Sequence, residues 1–375
     1  MINFPISIKK FEQDYLGKKY AFFEKAHNLK MDWSEIDQTL YSWDVSDKHF
    51  KLVKGSENLT SKVLETYQDI GRVRTRIIKE ILYEELSNGA TLLLDRLDIK
   101  NEKINNITFD IGRFYGEKAI CNGYISFRDD PAFKKHWDTH DVFAVQIKGR
   151  KLWKIYSPTF EYPLVHQKSI SHIPECPDSP VFEVVLNEGD VIYIPRGWWH
   201  EVSPINGEPT FHIAVGIHYP KIKDYINWVC NTLLDDNVIF RKSIKSNQKN
   251  IENLDEINNE LVKLISNQDN LDQFNLIHQS ALRVNTSFNL EKLVLSKGNE
   301  LNIHDSEQIA LNSYQDIPDS GASKIIANGI SLNVDEKSMS SLSEIVKTGK
   351  FNNEKERKLA ANLIKCDVLQ LRKDY

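Results

Sequence analysis

The spacing of apolar positions changes character along the chain. From about Ile120 to Pro220 they come in short runs: Val142–Ile147, Leu152–Tyr156, Phe182–Leu186, Val191–Ile194 and Thr210–Ile217. Gly149, Asn187–Asp190, Pro195–Gly197 and Asn206–Gly207 break these runs with turn residues. Many short strands at close spacing predict a mainly β core, a sandwich or barrel, with a double-stranded jelly roll as its arrangement. Before this stretch the pattern is mixed. Phe11, Tyr15, Leu16, Phe22 and Phe23 suit an entry helix and a short strand packed on a larger body. Ser34 followed by Gln38 marks a helix start, and Ile77, Ile78, Ile81, Leu82 and Leu86 predict a helix over Arg74–Leu86, closed by Asn88-Gly89. The run Ala90–Leu97 has strand length.

Beyond Pro220 the period becomes helical. Ile222, Tyr225, Ile226, Val229 and Leu233 mark one amphipathic helix, Ile257, Leu261, Leu264 and Ile265 a second, and Leu271, Phe274, Ile277 and Leu282 a third. Asp335 is placed to cap a helix carrying Met339, Leu342, Ile345 and Val346, ended by Gly349. A further helix with Leu359, Leu363 and Ile364 precedes a strand over Val368–Leu371. The expected division is a catalytic domain over residues 1–220, a helical segment over 221–300 and a winged-helix-like module over 301–375. No internal repeat or low-complexity tract interrupts this order.

Composition narrows the function classes. The 375 residues are 41% hydrophobic, 10% aromatic and 27% charged, with net charge −5 and a pI near 6.2. That balance gives no basic signature for direct nucleic-acid binding or an anionic membrane surface. No apolar run reaches membrane-spanning length, and the first residues lack the apolar core of a secretory signal. Cys121, Cys176, Cys230 and Cys366 show no CxxC spacing, which fits free thiols in a reducing cytoplasm.

The chemistry concentrates between Asn122 and His200. In His136-Trp137-Asp138 the outer residues are two apart and share one side of an extended segment. A third ligand is available at the end of Gly189-Asp-Val-Ile-Tyr-Ile-Pro-Arg-Gly-Trp-Trp-His200. Two imidazoles and one carboxylate on one face of an octahedral ion leave open positions, the arrangement of non-haem Fe(II) oxygenases. A zinc hydrolase is less well served, because the chain has no HExxH helix.

His136-x-Asp138 followed by the Gly-Asp-strand-Pro-x-Gly-x-x-His200 run resembles the JmjC branch of the cupin superfamily, over about Ala90 to Pro220. Within it, the chain resembles the bacterial ribosomal-oxygenase group of Fe(II)- and 2-oxoglutarate-dependent enzymes. The resemblance implies metal binding by His136, Asp138 and His200. It implies that Lys151 pairs with the distal carboxylate of 2-oxoglutarate, and that Asn122 and Tyr124 line the same pocket. A lysine buried on a barrel strand is costly unless an anion meets it, which agrees with that role. There are departures too. The strand after the last ligand reads His212-Ile-Ala214-Val-Gly216-Ile, without the hydroxyl side chains of some relatives. His212 and His218 are expected to be structural or to lie behind the ligands, and His140 to lie at the surface. Trp198 and Trp199 are expected to wall the pocket, and Arg128, Asp129 and Asp130 to lie in the loop before the metal.

The implied activity uses Fe(II), 2-oxoglutarate and O2 and hydroxylates an amino-acid side chain in a protein or peptide, a ribosomal protein being favoured. The alternatives are a hydroxylase of a free amino acid or natural-product peptide, and a catalytically silent interaction protein of the same fold. The helical segment after Pro220 implies a homodimer interface or packing within the chain; the sequence leaves both open.

Overall fold

The computed structural model describes all residues except 1, 47, 56, 129–133, 246–250, 295, 299, 318–323 and 373–375. The chain forms two compact units, one spanning Met1–His218 and one that begins at Tyr219.

The first unit carries helices α1 (Ile8–Asp14), α2 (Trp33–Tyr41), α3 (Lys79–Ser87) and α4 (Glu102–Tyr115). Its strands are β1 (Ala21–Phe23), β2 (Phe50–Lys54), β3 (Glu57–Asn58), β4 (Leu64–Asp69), β5 (Arg72–Ile77), β6 (Thr91–Leu94) and β7 (Lys118–Ser126). They continue as β8 (Asp141–Lys148), β9 (Lys151–Tyr156), β10 (Phe182–Leu186), β11 (Val191–Ile194), β12 (Trp199–Pro204) and β13 (Thr210–His218). An eight-stranded sheet runs β1-β11-β8-β13-β7-β6-β2-β3, and a three-stranded sheet runs β10-β9-β12. Their pairings are antiparallel, and the two sheets give the expected double-stranded jelly roll.

Alternation builds the space between the sheets. Along β9, Lys151, Trp153 and Ile155 are buried while Leu152 and Lys154 are half-buried. Trp153, Ile155 and Leu186 from the small sheet pack with Ala144, Ile192 and Ile194 from the large one. Each such fully buried aliphatic side chain contributes about 1.5–3 kcal/mol. The predicted entry helix and short strand are present, and Phe11 of α1 meets Tyr193 edge-on with ring centroids 4.8 Å apart.

Several local expectations need correction. Arg72–Ile77 is strand rather than helix: it alternates in character and pairs along its length with β4 through the Ile70-Gly71 turn. The helix starts only at Lys79. The cap of α2 is Asp32, not Ser34; its carboxylate accepts from the Glu35 N–H, and the Glu35 carboxylate accepts from the Asp32 N–H. The sequence reading also passed over α4 and β12. Helix α4 is bounded by an Asn101 cap and by Gly116 at φ 83°.

The second unit contains α5 (Ile222–Thr232), α6 (Leu254–Ile265), α7 (Gln268–Ala281), the short α8 (Glu291–Val294), α9 (Glu336–Thr348) and α10 (Glu354–Lys365). Its strands are β14 (Gln308–Leu311), β15 (Lys324–Ala327), β16 (Ile330–Asn333) and β17 (Leu369–Arg372). Asp335 caps α9 through the Ser338 N–H, and Gly349 ends it at φ 70°, as the sequence predicts. Tyr225, Trp228 and Phe274 bind α5 to α7, while Met339, Leu342, Ile345 and Ile364 form a core under β14 and β17.

Candidate functional site

His136 lies on an extended segment that pairs with β12 at one residue only, the bridge His136↔His200. The two side chains emerge together, their ring centroids 4.3 Å apart. Trp137 points the other way, 3% exposed, and lies flat against Phe160. That anchor leaves Asp138 on the His136 side, with its Oδ2 3.5 Å from His200 Nε2. One ligand atom from each of His136, Asp138 and His200 falls within 4.8 Å of the others.

The donor set fits a divalent metal. His136 Nδ1 is 2.8 Å from the Lys134 carbonyl and His200 Nδ1 is 3.2 Å from the Trp198 carbonyl. A carbonyl only accepts, so both Nδ1 atoms carry the proton and the Nε2 atoms are the ones that bear the ligating lone pairs. Burial and the neighbouring His136 push the His200 imidazole down to about 4, so it is neutral at ordinary pH. Burial pushes the Asp138 carboxyl up, but the His200 and His136 imidazoles outweigh it and leave the group below its usual range.

The turn that delivers His200 is tied to the same segment. Gly197 N–H donates to the Asp138 carbonyl at 3.0 Å. The buried Asp141 carboxylate accepts from the Arg196 N–H at 3.0 Å and from the hydroxyls of Tyr115 and Tyr193 at 2.6 and 2.7 Å.

A cavity of about 240 Å³ runs from these three residues between the sheets. Lys151 lines it, 4% exposed, and its Nζ lies 3.0 Å from His212 Nδ1. No carboxylate faces Lys151 among the described residues. Burial alone pushes its ammonium down to about 7. Tyr124 also lines the cavity and stacks on His212 with ring planes 9° apart. Asn122 stands behind it: its side chain accepts the Arg96 N–H at 3.1 Å and hydrogen-bonds the Tyr124 hydroxyl. It supports the wall without being part of it.

Two expectations fail here. Trp198 packs with Tyr20 and Phe182 outside the cavity, and Trp199 is fully buried against Trp137 and Tyr156. The tryptophan that walls the cavity is Trp153, two residues from Lys151 on one face of β9. Ser126, two residues beyond Tyr124, lines it as well; the same-side spacing in each strand was the available signal. The Ser126 hydroxyl and Trp153 Nε1 are buried without a partner among the described residues. His140 stacks on His218, and the missing side chain at Gly216 makes room for its ring, since a Cβ there would sit 2.6 Å from it. Arg128 donates to the Ser87 carbonyl at 2.9 Å; Asp129 and Asp130 lie outside the described residues.

The family model described as JmjC domain matches residues 98–225, which hold all three ligand candidates, Lys151 and Tyr124. Among curated proteins, the chain is 26% identical over 183 residues to Ribosomal oxygenase 1 of Gallus gallus, covering 48% of this chain and 29% of that protein. It is 24% identical over 239 residues to the bifunctional lysine-specific demethylase and histidyl-hydroxylase NO66 of Dictyostelium discoideum, covering 62% of this chain and 45% of that one. The chain thus spans less than half the length of these relatives. In fold it matches the Escherichia coli ribosomal oxygenase YcfD in complex with cobalt and 2-oxoglutarate, with TM-score 0.56 and 15% identity over 100% of both chains. A YcfD structure with cobalt and succinic acid matches with TM-score 0.55.

Proposed function

We propose that this protein is an Fe(II)- and 2-oxoglutarate-dependent oxygenase that hydroxylates an amino-acid side chain in a protein or peptide, with a ribosomal protein as the favoured substrate. The observation that carries this reading is one cavity lined by two imidazoles and a carboxylate and also by a buried lysine that has no acidic partner among the described residues. His136, Asp138 and His200 would hold Fe(II), the neutral His200 imidazole and the ionised Asp138 carboxylate being ready for it. Lys151 would meet the distal carboxylate of 2-oxoglutarate, with Tyr124 shaping the cavity and Asn122 holding Tyr124. When bound, iron with 2-oxoglutarate and O2 converts a substrate C–H to C–OH, yielding succinate and CO2. The chain's own part is to fix ligand orientation, bring a cation to the co-substrate and wall the cavity with Trp153 and Val142.

The relatives' printed activities, ribosomal oxygenase and histidyl-hydroxylase, favour a protein substrate over a free amino acid or natural-product peptide. Exposed apolar positions on the helical segment, Ile222, Val262 and Ile277, support a homodimer there. The two helices and the β15–β16 hairpin beyond residue 301 support a winged-helix-like module. Four free thiols support a cytoplasmic setting, and no helix among the described residues is long and apolar enough to cross a membrane.

The test is succinate release by the full chain with Fe(II), 2-oxoglutarate and O2, with and without ribosomal proteins, using His136→Ala as the blank. Slow release that rises with one protein fraction and mass growth of that protein by one oxygen supports the reading. Bound metal without 2-oxoglutarate binding or succinate release would replace it with the silent-scaffold alternative.

A further inference from the structure

Resting on the reading above, we propose that His212 is a second donor to the distal carboxylate, so that Lys151 and His212 together form a two-pronged receptor for the far end of the dicarboxylate. A lysine that meets an anion is an ammonium with no lone pair, so at 3.0 Å from His212 Nδ1 it must donate to that nitrogen. The ring proton is then on Nε2, which has no other partner among the described residues, and His212 lines the cavity. The imidazole stays neutral there, because burial and then Lys151 hold it well below its usual range. A neutral ring is what the arrangement needs: one nitrogen accepts from lysine while the other donates to the ligand.

The ring cannot turn away. It is stacked on Tyr124 at 4.8 Å and meets Trp153 edge-on at 5.5 Å, with planes 87° apart. Its place in the sheet is equally fixed, since His212 pairs with Tyr124 on β7 and with Gln146 on β8. On the same strand face Ala214 and Gly216 offer no hydrogen-bonding side chain. The imidazole is therefore the polar group that β13 contributes to this end of the cavity.

The experiment is calorimetric titration of the full, Mn(II)-loaded protein with 2-oxoglutarate and with pyruvate, a 2-oxo acid that lacks the distal carboxylate. His212→Phe keeps a flat ring against Tyr124 but removes both nitrogens; 2-oxoglutarate affinity is expected to fall about tenfold or more, with pyruvate affinity unchanged. His212→Gln, which restores an N–H donor, is expected to recover most of the loss. Undiminished 2-oxoglutarate binding in His212→Phe, an equal loss for both ligands, or a Gln variant no better than the Phe variant would each overturn the assignment to His212. Failure of the unmutated protein to bind either 2-oxo acid would instead overturn the co-substrate reading on which it rests.

Discussion

His136 and His200 exchange both backbone hydrogen bonds across a single antiparallel bridge. His200 N–H donates to the His136 carbonyl at 2.8 Å, and His136 N–H donates to the His200 carbonyl at 3.1 Å. This one pairing sets two candidate ligands side by side although they come from distant parts of the chain. What supports the bridge should therefore control metal binding.

Gly197 is one such support. It sits at φ +84°, and a Cβ there would lie 2.6 Å from the Phe160 carbonyl oxygen. Gly197→Ala should cost about 1–3 kcal/mol through backbone strain. It should also loosen the hydrogen bond from residue 197 to Asp138. Thermal unfolding with and without Mn(II) checks this: the metal-induced rise in Tm should shrink, and an unchanged rise would show that the turn does not hold the ligands.

Trp137 is the counterweight between His136 and Asp138. Its ring lies 5.7 Å from Phe160 and meets Trp199 edge-on at 6.1 Å. Trp137→Ala should lower stability by about 3–5 kcal/mol and weaken metal binding, while Trp137→Phe should keep most of both. Denaturant unfolding and Mn(II) titration on the two variants separate packing from ligation.

Lys151 has a cost without its ligand. A buried ammonium facing only an imidazole opposes folding, so Lys151→Met should stabilise the ligand-free protein by about 1–4 kcal/mol. The same change should weaken 2-oxoglutarate on the order of a hundredfold. Opposite signs in the two measurements are the prediction; a loss of both would mean that Lys151 is structural.

Co-substrate binding should also depend on pH. Burial holds the Lys151 ammonium down at about 7, and an arriving carboxylate favours the charged form and raises that value. Below pH 7 the free site is already charged and affinity is flat in this respect. Above pH 7 binding must take up a proton, so affinity falls by up to about tenfold per pH unit until the raised value is passed. Calorimetry in buffers of different ionisation enthalpy at pH 8 should show proton uptake, and Lys151→Met should abolish it.

Much of this protein is written in local sequence. The runs over Val142–Ile147, Leu152–Tyr156 and Val191–Ile194 are strands because short apolar stretches between turn residues have few other ways to bury themselves. The His136-x-Asp138 spacing, Lys151 and the Asp335 and Gly349 boundaries of α9 are likewise legible, since each depends on residues a few positions apart. Where a segment's partner lies elsewhere, the sequence misleads. Arg72–Ile77 carries enough apolar spacing for a helix, yet its pairing with β4 makes it a strand. Of Trp137, Trp153, Trp198 and Trp199, only Trp153 lines the cavity, because strand pairing decides which side of each segment is inward. His212 gains its importance from Lys151, which reaches it across the interior from another strand. Periodicity and turn chemistry are properties of neighbours in sequence and survive in the unfolded chain; which residues meet inside a barrel is fixed only when register closes the sheets.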